Sequence, residues 1–221
     1  LPLVYQPGTR WSYSVGLDLL GRVIEVVSGQ PFDQFLQQRI LTPCGMESTA
    51  FRVARDDVGR FTGNYFVLGG VPLPIDLPAS SVYLSAPPFP FGGAGLVSTG
   101  RDYDRFLRML AMRGAVGGTQ VASEAAVAMA TRDLFPDTLA SNGGFSTSGM
   151  AFGFGAGGLV GRGATEGLFG WFGAAGTVGL VNLRHGLRHN LMTQYMLSDA
   201  YPVQADFPRL VAADALVQAA S

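Results

Sequence analysis

Pro7-Gly8-Thr9-Arg10-Trp11-Ser12-Tyr13-Ser14-Val15-Gly16-Leu17-Asp18-Leu19-Leu20-Gly21-Arg22-Val23-Ile24-Glu25-Val26-Val27-Ser28-Gly29 is the stretch on which the fold turns. Val15, Leu19, Leu20, Val23, Ile24 and Val27 recur at helical spacing, which predicts a helix over 15–28 ended by Gly29. Pro31 fits the first turn of a second helix, whose apolar stripe is Phe32, Phe35, Leu36 and Ile40. Both stripes are expected to pack against a core rather than a ligand. Just ahead of the first helix stands Tyr13-Ser14-Val15. Taken alone, a tyrosine at a helix start is an ordinary half-buried packing residue.

Outward from this segment, residues 60–91 are rich in Pro, Gly and Ser and read as a long irregular excursion with short strands. Gly92-Gly93-Ala94-Gly95 leads into a helix at about 101–112, with Thr99 and Asp102 as a capping pair and Tyr103, Phe106, Leu107 and Leu110 as its stripe. That glycine run lacks the Gly-Lys-Ser/Thr ending of a phosphate loop. Ser123 caps a further helix over 124–130, and 136–149 reads as a loop. The pattern then changes to strands at 152–160, 173–183 and 190–196, with a turn at 182–186. An amphipathic helix at about 207–219 closes the chain. Helices first, then an antiparallel meander and a last helix, predict an α+β fold: an antiparallel sheet flanked by helices. One domain is expected over 1–221, mostly helix and loop over 1–150 and late strands with the terminal helix over 151–221.

The chain has 221 residues, 48% of them hydrophobic, enough for one sizeable core. Only 14% are charged and the net charge is −1, which argues against a nucleic-acid partner. All 15 basic residues are arginine and none is lysine, a compositional bias with no basic cluster. A single cysteine, Cys44, forms no internal disulfide and reads as a small buried apolar residue. No apolar run is long enough to span a membrane. No cluster has metal-ligand spacing, and nothing calls for a cofactor. His185 and His189 lie in or beside the 182–186 turn and read as solvated, which weakens any Ser-His-Asp reading. Gly144-Phe145-Ser146-Thr147-Ser148 lacks the last glycine of a nucleophile elbow.

With Pro7-Gly8-Thr9-Arg10-Trp11 before it and Leu19-Leu20-Gly21 after it, Tyr13-Ser14-Val15 resembles the Tyr-x-Asn region of the serine β-lactamase and penicillin-binding-protein superfamily. It is most similar to the class C-like esterases. The resemblance implies a β-lactamase/transpeptidase-like fold and a serine, in a Ser-x-x-Lys motif upstream, that becomes acylated. The chain starts at Leu1, just before this second motif, and holds no lysine. It is therefore expected to be the C-terminal portion, with the N-terminal part missing, and inactive by itself. The resemblance makes Tyr13 the general base that takes the serine proton and relays it to the leaving group. A phenol ionises near pH 10, so that role is helped by a nearby ammonium, which this chain does not supply. Val15 stands where the family has the Asn that contacts a β-lactam's amide side chain.

Phe169-Gly170-Trp171-Phe172-Gly173-Ala174-Ala175-Gly176-Thr177 resembles the family's third motif, Lys-Thr-Gly in β-lactamases and Trp-x-Gly in related esterases. By that register Trp171 occupies the lysine position, Gly173 the glycine, and the Ala174 N–H completes the oxyanion hole on an edge strand. Phe172 and Gly173 would line the substrate with Val15 and Trp171. An indole offers an apolar wall where the lysine would hold a carboxylate. Val15 and Trp171 together point to neutral, apolar esters, and a small-molecule ester or amide is the implied partner. Residues 95–99, 102–106 and 192–194 also match and read as scaffold. Two alternatives stand beside the esterase: a β-lactamase or D-alanyl peptidase of the same fold, and a non-catalytic binding protein derived from it. The compartment, bacterial-type cytoplasmic or periplasmic, stays open.

Overall fold

Helix α1 (Gly16–Ser28) forms where the periodicity places it, and Gly29 closes it in the left-handed region with its N–H on the Glu25 carbonyl at 2.9 Å. The computed structural model that contains it describes residues 2–13, 15–135 and 152–220; the expected loop at 136–149 and the 144–148 run lie outside the described residues. The second helix is longer than its stripe suggested. α2 (Phe32–Leu36) runs through a π-helical turn, Gln37–Leu41, into α3 (Thr42–Cys44). Phe32, Leu41 and Cys44 are buried along this run.

The excursion carries an antiparallel hairpin, β1 (Asn64–Leu68) and β2 (Val71–Asp76), as expected for short strands. Pro72 and Pro74 suit β2 to an edge, where a missing N–H costs no ladder bond. Helix α4 (Gly100–Ala111) starts at Thr99, whose side chain accepts the Asp102 N–H at 3.1 Å. Asp102, only 3% exposed, accepts in turn from the Ser48 N–H at 2.7 Å and the Thr49 hydroxyl at 3.0 Å, tying the 46–49 turn to α4. A small ladder, β3 (Ala115–Val116) with β4 (Thr119–Gln120), precedes α5 (Glu124–Ala130), capped by Ser123.

The main sheet is a five-stranded antiparallel meander in chain order: β5 (Phe152–Phe154), β6 (Leu159–Gly161), β7 (Leu168–Phe172), β8 (Val178–Asn182) and β9 (Leu187–Leu191). The strand boundaries correct the sequence reading. The single strand expected over 152–160 is two, folded back where Gly155 N–H bonds the Gly158 carbonyl at 2.8 Å. β7 precedes the strand expected from 173. The strand expected over 190–196 starts earlier, because the Asn182 side chain accepts the N–H groups of Arg184 and His185 and closes the turn quickly. Its far end becomes a separate strand, β10 (Tyr195–Met196), which pairs in parallel with β1.

Helix α6 (Val203–Ala220) begins four residues before the expected 207 and accommodates Pro208. It lies on the face of the sheet opposite α4. Val178 and Leu180 point to the α6 side, in a cluster with Phe152, Leu159 and Phe207. Val181 points to the α4 side, joining Leu107, Leu110, Leu41 and Cys44. An Arg188–Asp104 ion pair at 2.7 Å reinforces that side.

The first helix breaks the expectation that its stripe packs on a core. Of that stripe Val15, Leu19, Leu20, Val23 and Val27 are exposed, Leu20 at 54% and Val27 at 81%, and Ile24 is half-buried. The covered side of α1 carries Gly21 and Asp18 together with the half-buried Leu17 and Ile24. Gly21 sits under Phe32 and the Gly92 backbone, and Asp18 accepts the Gly93 N–H at 3.0 Å.

Candidate active site

The site is assembled on aromatic rings. Asp133 accepts the N–H groups of Phe135 at 3.0 Å and Phe154 at 3.2 Å, and pairs with Arg162. Burial alone would raise the Asp133 carboxyl, but these hydrogen bonds outweigh it and hold the group below its ordinary value. Phe135 and Phe154, fixed in this way, bracket Trp11, with ring centroids 6.1 and 5.6 Å away. Phe154 also meets Trp171 edge-on at 5.5 Å. Trp171 and Tyr13 then lie parallel, 6.0 Å apart and 10° from coplanar. The two motif regions, distant in sequence, are brought into direct ring contact.

Tyr13 is 62% exposed, and Val15 follows it with its side chain also largely exposed at the start of α1. β7 is not an edge strand along its whole length, since β6 pairs with Phe169 and Gly170. The β6 pairing of β7 ends at Gly170. Phe172, Gly173 and Ala174 follow directly, and the chain turns back into β8 through residues 173–177.

This turn is built by glycine and by hydrogen bonds. A Cβ on Gly173 would collide with Thr177 Oγ1. Gly176 has φ +77° and lies against the Tyr195 ring, where a side chain would neither fit nor adopt that backbone. The Gly176 N–H donates to the Gly173 carbonyl at 3.1 Å, and the Gly173 N–H to the Thr177 carbonyl at 2.9 Å. The N–H groups of Ala174 and Ala175, the two central turn residues, have no acceptor among the described residues. A phenol can move a proton, and N–H donors without an acceptor among the described residues can stabilise developing negative charge on oxygen.

His189 corrects another expectation. It lies within β9, its ring packs on Phe207 at 5.5 Å, and both ring nitrogens are buried with no hydrogen-bond partner among the described residues. Burial pushes the imidazole below its usual value. His185 is exposed, as a turn residue should be. Cys44 is buried and burial pushes its thiol up, which fits the packing role expected for it. Among the described residues no three His, Cys, Asp or Glu side chains gather as metal ligands, and no helix is long and apolar enough to cross a membrane. A cleft of about 690 Å³ lined by Gln34, Gln37, Arg52 and Pro90, among others, shares no residue with the two motif regions.

Sequence reasoning missed two contributors. Phe135 and Phe154 come to the site through Asp133, and Gln204 reaches the 173–177 turn from α6. Neither link has a local signature, because each joins residues that only the tertiary fold makes neighbours.

A family model described as Beta-lactamase matches residues 1–216. Protein Rv1367c of Mycobacterium tuberculosis is 36% identical over 137 residues, covering 62% of this chain and 34% of that protein. Lovastatin esterase of Penicillium rubens is 31% identical over 196 residues, covering 78% of this chain and 45% of that protein. Among solved structures, unliganded simvastatin synthase (LovD) from Aspergillus terreus matches with a TM-score of 0.80 at 22% identity, over 96% of this chain and 56% of that one. The chain thus spans no more than 56% of any of these three proteins. At 22% identity the structural likeness shows the fold, an α+β, β-lactamase/transpeptidase-like architecture.

Proposed function

This chain belongs to the Beta-lactamase family, and from that premise we propose that it is the proton-transfer and oxyanion portion of a serine hydrolase acting on carboxylic esters. The observation that carries the reading is the stacking of Tyr13 on Trp171, which joins the two motif regions just past the end of the β6–β7 pairing. Residues 1–221 are a single domain in this reading, completed by a polypeptide that supplies the nucleophilic serine and its lysine. Two facts favour such a completion: the chain has no lysine, and the apolar stripe of α1 faces outward.

In the first step the serine oxygen attacks the ester carbonyl carbon while Tyr13, as general base, accepts the hydroxyl proton. The carbonyl electron pair moves onto oxygen, where the Ala174 N–H stabilises it. Collapse of the adduct breaks the bond to the alkoxide, which takes the proton from Tyr13 and leaves an acyl-enzyme. Water attack by the same route releases the acid and restores the serine. Val15, Trp171, Phe172 and Gly173 line the substrate. Val15 and Trp171 lack the amide and ammonium that would hold a β-lactam's side chain and carboxylate, which favours an ester over a β-lactam or a peptide. The name of the relative from Penicillium rubens, an esterase, supports the same choice.

Tyr13→Phe in the longer protein should lower ester turnover by about 10²- to 10⁴-fold with little loss of stability. Near wild-type steady-state turnover by that variant would remove Tyr13 from the mechanism. The 221-residue chain alone should show no turnover of p-nitrophenyl esters.

A further inference from the structure

The 173–177 turn leaves the Ala174 and Ala175 N–H groups without an acceptor among the described residues, while the Gly173, Ala175 and Thr177 carbonyls are held from other elements. Ala175 O is bonded twice, by the Tyr195 N–H at 3.1 Å and by the Thr193 hydroxyl at 3.0 Å. The base of the turn, already closed by its own backbone bonds, is also held by one side chain from another element. Gln204 Nε2, in the first turn of α6, donates to the Gly173 carbonyl at 2.7 Å and to the Thr177 carbonyl at 3.0 Å. It therefore bridges the first and last residues of the turn. The same two carbonyls also accept the turn's own N–H groups, Gly176 N–H on Gly173 O and Gly173 N–H on Thr177 O, and among the described residues Gln204 supplies the one side chain that bonds them.

A hairpin tip is ordinarily among the more mobile parts of a sheet. Charge stabilisation by backbone N–H groups depends on their being aimed before the reaction starts, and a misplacement of about 1 Å can cost on the order of 10²-fold. We propose that Gln204 is a positioning residue: through its two hydrogen bonds it fixes the 173–177 turn and so aims the Ala174 N–H, and with it the neighbouring Ala175 N–H, at the developing oxyanion. The proposal rests on the ester-hydrolase reading above, because it needs Ala174 to be the donor. It also gives α6 a part in the chemistry beyond covering the sheet.

The test uses the longer protein, with turnover expressed per active site titrated by a fluorophosphonate. Gln204→Glu keeps the size of the side chain but sets carboxylate oxygens against two carbonyls. It should lower kcat on p-nitrophenyl butyrate by about ten- to hundredfold and leave KM within about twofold, since the loss falls on the transition state. Gln204→Lys, which keeps N–H donors at that reach, should recover most of the rate. A structural role alone would lower the melting temperature and leave kcat per titrated site unchanged in both variants, and that result overturns the proposal, as does a change in KM alone. Ala174→Pro separates this from failure of the underlying reading. Proline suits the first central position of a β-turn and removes only the N–H. If Ala174→Pro keeps full turnover, the oxyanion assignment and the Gln204 role both fall. If it abolishes turnover while Gln204→Glu is fully active, only the Gln204 role falls.

Discussion

Helices α1 and α4 are written in the same code and meet different fates. Each repeats apolar side chains at helical spacing and each has an acidic residue in its first turn. α4 presses its stripe onto β8 and β9, with Leu107 1% exposed. α1 turns its stripe to solvent, with Leu20 54% exposed, and attaches through Gly21 and Asp18 instead. Periodicity tells which face of a helix is apolar. It does not tell what covers that face, or whether the covering lies in the same stretch of chain.

The sharpest way to break this comparison is one chemical change made in both helices. Leu107→Ala should destabilise the protein by about 2–5 kcal/mol, because the surrounding core cannot close over the lost volume. Leu20→Ala in the 221-residue chain should change stability by no more than about 0.5 kcal/mol. Urea unfolding of the two variants measures both. Equal losses would mean that α1 is already covered and that the contrast is false.

A smaller effect sharpens the contrast. In the longer protein, Val23→Ser should cost about 1–3 kcal/mol, since on the proposed reading the completing polypeptide would desolvate that position. In the 221-residue chain the same change should be nearly neutral and should reduce the binding of a hydrophobic dye. An identical response in both forms would argue that something else covers α1.

The smallest effect belongs to the covered side of the sheet, at His189 under Phe207. Its folded-state value is depressed by burial, so the unfolded chain takes up the proton first as the pH falls. Stability should be level above about pH 6.5 and decline from there down through the lowered folded value. The urea midpoint should therefore drop between pH 7.5 and pH 5 by more in the wild type than in His189→Leu. Equal drops would show that the decline comes from other groups.

The helices were legible in the sequence because their caps are local: Gly29 after α1, Thr99 before α4 and Ser123 before α5 each carry the backbone bond expected of them. The Tyr13 and Trp171 segments were legible as motifs, and their ring contact follows from the fold. The strands were read less well. Glycine-rich β5–β8 segments blur the alternation on which strand reading depends, and the reversal at 155–158 is invisible without its hydrogen bond. β10 pairs with β1 across most of the chain, so no window of sequence holds both partners. His189 was misread for a related reason: it is close to the turn in sequence, yet α6 returns to bury it. The Gln204 bridge belongs to the same class of long-range contact.

Fluorophosphonate labelling followed by peptide mass spectrometry tests the central claim most directly. In the longer protein, the account predicts one serine adduct, outside residues 1–221, whose rate of formation falls when Tyr13 is replaced by Phe. The 221-residue chain alone should take up no label. A specific adduct on a serine within residues 1–221, or labelling that ignores Tyr13→Phe, would contradict it.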